Sequence, residues 1–94
     1  MADVRSLPDG VTLRRVTDEL TAATLPAGLR RAHQVADGAW ARLCVRAGEV
    51  RFVRESPPES VTVVAPGQPC VIEPSVLHHV EPSADARFVV EFYR

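Results

Sequence analysis

The feature that most constrains this chain is its punctuation. Short runs rich in β-branched residues are broken by Pro or Gly at intervals of roughly eight to twelve residues, a spacing that suits many short strands and leaves little room for long helices. Residues 41–46 alternate, with Leu43 and Val45 on one face and Arg42, Cys44 and Arg46 on the other. Ala47-Gly48 then turns the chain into residues 49–55, and the two runs read as a hairpin with one face toward the core. Ser56-Pro57-Pro58-Glu59 forces a loop, because Pro fixes φ and cannot donate to a ladder. Residues 60–65 read as the next strand, and Pro66-Gly67 as a turn. Residues 70–72 form a short buried strand stopped by Pro74, and residues 77–81 another, stopped by Pro82. Residues 86–93 are a long apolar strand, too rich in β-branched and aromatic side chains to favour helix. In the N-terminal third, residues 11–16 read as a strand, 17–23 as one helical turn capped by Thr17, and 29–33 as a further strand. About eight strands and at most one short helix make an all-β sandwich or small barrel.

A chain of 94 residues holds one domain, spanning residues 1–94, with residues 1–6 expected to be disordered. That size excludes a doubly wound cofactor fold, a (β/α)₈ barrel or a fused catalytic partner. Eleven basic residues, all Arg, stand against twelve acidic ones for a net charge of −1, without the basic excess of a nucleic-acid reader. A hydrophobic fraction of 46% argues against disorder. No apolar run approaches the ~20 residues of a membrane helix, and the opening MADVRSLPDG lacks a signal-peptide pattern. No membrane partner and a cytoplasmic location are therefore expected. Cys44 and Cys70 form no CxxC pair and read as small buried hydrophobes, although Cys44 lies between Arg42 and Arg46, where a thiol pKa can be lowered.

Two segments carry cupin-like punctuation. Counting from Gly67, the spacing of a cupin's second motif puts its Pro slot at Glu73, its second Gly slot at Ser75 and its His at His78. The first motif is more degraded: Gly48 closes it, His33 precedes it, and its Glu slot holds Ala41. The longer strings LPAGLRRAH, DGAWARLCVRAGEVRF, PGQPCVIEPSVLHHVEP and ARFVVEFYR resemble the small cupin domain of the TehB-type tellurite-resistance family, over residues 7–94. Such domains occur alone and fused ahead of a methyltransferase. The resemblance implies a double-stranded β-helix, or jelly roll, in agreement with the strand count. Methylation belongs to the fused half, and this sequence has no Gly-rich S-adenosylmethionine loop. Fused members carry Glu two places before the first His, where this chain has Arg31, and some carry Trp before the second, where it has Leu77. The resemblance is thus to the stand-alone branch. It implies a small-molecule or metal-binding cupin connected with stress or tellurite response. A metal-dependent enzyme of dioxygenase or isomerase type and a non-catalytic partner domain are the alternatives.

The interior of a jelly roll is where a small ligand sits, and His33 and His78 lie on strands that the fold would bring together. Two neutral imidazoles can ligate one divalent transition metal such as Zn, Fe, Ni or Mn, for Lewis-acid activation or for sequestration. A catalytic zinc usually has three protein ligands. Glu91 on the final strand is the preferred third group, since Glu81 alternates to the face opposite His78. The bland reading of the same residues is a hydrogen-bonded polar core. Trp40 either lines the pocket mouth or fills the core, and His79 faces solvent. Arg31, Arg42, Arg46 and Arg51 form either a positive strip for an oxyanion or a solvated face balanced by Glu49, Glu55 and Glu59. A homodimer is expected, because small jelly rolls protect an edge strand by pairing it with another copy.

Overall fold

Strict alternation in the chain's middle decides where its core lies. The computed structural model describes residues 6–26, 33–34 and 38–94, with residues 33–34 described by their backbone. Among them are nine strands: β1 (Leu13–Val16), β2 (Leu20–Thr21), β3 (His33–Gln34), β4 (Trp40–Ala47), β5 (Val50–Arg54), β6 (Ser60–Val64), β7 (Cys70–Ile72), β8 (Leu77–Pro82) and β9 (Arg87–Tyr93). In β4, Ala41, Leu43 and Val45 are buried while Arg42 and Cys44 are half-buried and Arg46 is exposed, the two faces that period-two patterning requires. β9 answers with Phe88 and Val90 in the same core, opposite Val45 and Leu43 in register.

All pairings are antiparallel. One sheet runs β1-β9-β4-β7, with β2 also on β9, and the other runs β3-β8-β5-β6. Their inner faces meet in a core that takes Ala41, Leu43, Ile72, Phe88 and Val90 from the first sheet and Val50, Phe52, Val64 and Val80 from the second. Burial of each larger side chain contributes about 1.5–3 kcal/mol. The architecture is an all-β two-sheet sandwich of jelly-roll type, as the punctuation predicts.

Two local readings are corrected. β4 and β5 are not a hairpin: β4 pairs with β7 and β9, while β5 pairs with β6 and β8. Gly48, at φ 66°, carries the chain from one sheet to the other; across the bend the Ser83 amide donates to the Glu49 carbonyl and the Glu49 amide donates to the Ser83 hydroxyl. Alternation identifies strands and inner faces, but not which strand each will pair with. The expected helical turn at residues 17–23 is instead a loop and strand β2. The Thr17 amide donates to the Val90 carbonyl and the Thr17 hydroxyl accepts from the Val90 amide, so the sheet edge outcompetes a local helix. A turn over Thr21–Thr24 follows. The strand expected at residues 29–33 meets β3 at His33; residues 29–32 and the expected disorder of residues 1–5 lie outside the described residues.

Candidate functional site

β8 begins where Pro74 and Ser75 redirect the chain. Ser75 adopts φ 62°, a left-handed conformation that costs a non-Gly residue roughly 1–2 kcal/mol. Its slot in the motif spacing is the one that calls for Gly. Beyond it Val76 is buried, and His78 Nδ1 donates to the Val76 carbonyl at 2.9 Å. A carbonyl only accepts, so this bond places a proton on Nδ1 and leaves Nε2, in the neutral ring, bearing the lone pair. His78 is the buried polar side chain among the described residues, 3% exposed. Its ring lies 5.1 Å from that of Phe52, tilted by 37°.

Register gives His78 two neighbours in one row across the second sheet. On one side its partner is His33 of β3, and on the other Arg54 of β5. Arg54 continues the inward alternation of Val50 and Phe52. Its guanidinium donates to Glu73 Oε1 at 2.8 Å and to the Ser56 carbonyl at 3.2 Å. Glu73 follows β7 of the opposite sheet, so this ion pair straps the two sheets together beside the row. Arg54 and Glu73 are the residues that sequence reasoning missed; counting Val50, Phe52 and Arg54 along β5 by twos is the signal that finds Arg54.

The structure does not bring Glu91 to this row. Phe88 and Val90 occupy the core, and Glu91 stands on the outer alternation of the first sheet. There its Oε1 accepts from Arg42 Nε at 2.8 Å and from the Tyr93 hydroxyl at 2.9 Å. Burial works against its ionisation, but those two hydrogen bonds and the Arg42 charge outweigh it and hold its carboxyl below the usual range. Trp40 is half-buried, alternates away from Ala41 and is the register partner of Tyr93. Arg31 and the side chain of His33 lie outside the described residues.

The remaining candidates sit on outer faces. His79 is half-buried and clamped, its Nδ1 donating to Glu55 Oε2 at 2.5 Å and its Nε2 to Glu81 Oε2 at 2.8 Å. Hydrogen bonds to Glu81 and then Glu55 raise its pKa, against a smaller opposing effect of burial. Among the described residues, Arg42, Arg46 and Arg51 do not form one strip. Arg42 pairs with Glu91, and Arg46 with Glu19, on the first sheet; Arg51 pairs with Glu81 at 3.6 Å on the second. Cys44 is not an activated thiol. Burial first, and then the Glu91 charge, push its pKa up despite Arg42. Cys70 is pushed up to about 11 by burial. Among the described residues no three His, Cys, Asp or Glu side chains are grouped to hold a metal ion. No helix among them is long and apolar enough to cross a membrane.

An all-antiparallel jelly-roll sandwich with a row of polar residues across one sheet defines the class of protein. The chain belongs to the TehB-like domain family, whose pattern matches residues 15–90. The crystal structure of an Escherichia coli (strain K12) protein, a structural-genomics target, superposes with a TM-score of 0.87 at 26% identity, covering 97% of each chain. TehB from Haemophilus influenzae superposes with a TM-score of 0.81 at 23% identity, over 90% of this chain and 32% of that one, a likeness of fold. No curated protein matches the chain.

Proposed function

We propose that this is a cupin-type binding domain in which His33 and His78 together hold one divalent transition metal, Zn, Fe, Ni or Mn, that presents open positions to a small polar or oxyanion ligand. The observation that carries the reading is the register pairing of His33 with His78. Directly opposed positions of antiparallel strands lie about 4.5–5.5 Å apart between Cα atoms, close enough for two imidazoles to share one ion. The bond from His78 Nδ1 to a backbone carbonyl fits the donor chemistry, because metal-binding imidazoles usually anchor their other nitrogen in this way. Arg54 lies one strand further along the row, and its pairing with Glu73 offsets a charge that would otherwise oppose a cation. With two protein donors and without Glu91, the ion binds loosely and exchanges its remaining ligands, which favours ligand binding or sequestration over tight structural metal.

Elemental analysis of protein purified without a metal-affinity tag tests this. The reading expects metal approaching one ion per chain, lost in His33→Ala and in His78→Phe, the latter keeping a ring against Phe52. Metal-free protein that takes up neither Zn²⁺ nor Ni²⁺ on dialysis would overturn it.

The TehB superposition, which leaves two thirds of that chain unmatched, favours a second reading. Here the domain serves, without metal, as the partner of a separately encoded methyltransferase in tellurite response. A metal-free protein whose two His variants fold unchanged is the outcome expected of that reading.

A further inference from the structure

Arg54 is an inward charge on a strand that otherwise builds core. β5 sends Val50 and Phe52 inside and, by the same alternation, Arg54. Its side chain is 19% exposed and lies opposite His78 in register. Among the described residues, no other inward position of β5, β6 or β8 holds an Asp, Glu or Arg. A charge so placed needs partners. Two of the guanidinium nitrogens find them on the backbone: Nε donates to the Ser56 carbonyl at 3.2 Å and Nη2 to the Pro57 carbonyl at 3.5 Å. Ser56 is tied in turn to β8, its amide donating to the Leu77 carbonyl and its hydroxyl accepting from the Leu77 amide. The guanidinium is therefore positioned without Glu73. Glu73 meets Nη1, through Oε1 at 2.8 Å. That contact uses one nitrogen, not the two-nitrogen fork that makes an Arg–carboxylate pair strong.

We infer that Glu73 is an internal stand-in for the ligand: Nη1 of Arg54 receives the carboxylate of a small monocarboxylate anion, which displaces Glu73 and turns its other end toward His78. This names the ligand class of the binding site proposed above, and it rests on that reading for the ion beside His78. Three observations select the class. The position already accommodates a carboxylate, that of Glu73. Replacing one carboxylate by another keeps the Arg54 charge balanced throughout the exchange, while the Glu73 side chain, 26% exposed, turns to water. Finally, Arg54 lines an open depression of about 390 Å³ together with Glu55 and Glu59. Glu55 is engaged by His79. Glu59 adds a negative charge at the rim, which penalises a dianion such as hydrogen phosphate more than a monoanion.

Arginine Nε–H signals in ¹H–¹⁵N spectra of the full chain, both Zn²⁺-loaded and metal-free, read the site as sodium glycolate is added at constant ionic strength. Arg54→Gln, in which one signal disappears, assigns Arg54. That signal shifts progressively with glycolate, less with phosphate, and stays in place with chloride. Glu73→Gln keeps the side chain's shape but removes the competing charge, and it tightens glycolate binding at least about threefold. A Glu73 that only straps the sheets together gives no such gain. Thermal melting verifies that each variant is folded. An Arg54 signal that ignores glycolate in folded Glu73→Gln, a Glu73→Gln affinity no tighter than wild type, or a preference for phosphate overturns the inference. Protein that takes up no zinc but shows the Arg54 response in its metal-free form supports the carboxylate site and contradicts the metal reading. Zinc uptake without any Arg54 response does the reverse.

Discussion

Arg42 Nε donates to Glu91 Oε1 across 2.8 Å, and this bond holds on the outer face of the first sheet a carboxylate that alternation alone leaves free to be placed inside. The ion pair is partly buried, with the Tyr93 hydroxyl on the same oxygen. Glu91→Gln is expected to cost about 1 kcal/mol at neutral pH, a value discounted for the exposure of Arg42. The sign with pH follows from a folded pKa below the unfolded one: the contribution is present above the usual carboxylate range and is lost as pH falls through the folded value. Melting temperatures of wild type and variant should differ at pH 7 and converge in acid. Metal uptake by Glu91→Gln should match wild type.

His79 acts with the opposite sign. Its folded pKa is raised by Glu81 and Glu55, so its contribution is complete below the unfolded value of ~6.5 and fades as pH rises through the folded one. His79→Gln should therefore lower the melting temperature by several degrees near pH 5.5 and much less near pH 9. Equal destabilisation at both pH values would show that the clamp is not ionic.

Gly48 and Gly67 both sit at positive φ, at 66° and 84°, but in different surroundings. A Cβ on Gly48 would meet Ala86 Cα at 2.8 Å, together with Ser83 Oγ and Asp85 Oδ1, whereas nothing lies within 4 Å of one on Gly67. Gly67→Ala should cost about 1 kcal/mol from backbone strain alone. Gly48→Ala should cost at least about 2 kcal/mol more, because the clash is with backbone at the crossing between sheets. Urea unfolding of the two variants checks the ranking.

Neither cysteine is poised to react. Cys70 is held at about 11 and Cys44 is also raised, both chiefly by burial. In native protein at pH 8, alkylation of both thiols by iodoacetamide should be much slower than that of a free thiol, rising to the ordinary rate on denaturation. Rapid native labelling of Cys44 would restore the idea of an activated thiol.

Strand identity was legible because it rests on local pattern. Leu43 and Val45 against Arg42 and Arg46 define a two-faced strand wherever that strand pairs. Pairing was not legible. Whether β4 meets β5 or β9 depends on contacts distant in sequence, and the bend at Gly48 looks like a hairpin turn until Ser83 is seen to hold Glu49. The site was half legible. His78 emerges from its spacing to Gly67, and the Gly slot that the chain fills with Ser75 proves to be a left-handed position. Glu91 was misplaced because apolar residues populate both faces of β9. Val89 is buried although it alternates with Glu91, so hydrophobicity there does not mark the inner face. Arg54 is not legible as a site residue, because its partner Glu73 follows a strand of the other sheet, which no local window contains.

The register-opposed histidines are tested most directly by imidazole ¹H–¹⁵N spectra recorded while Zn²⁺ is added. The account predicts that the His33 and His78 rings shift together and saturate at one ion per chain, with Nε2 of His78 as the coordinating nitrogen, while His79 keeps its signals. Zinc that moves His79 alone, or leaves the His33 and His78 resonances in place, would contradict it.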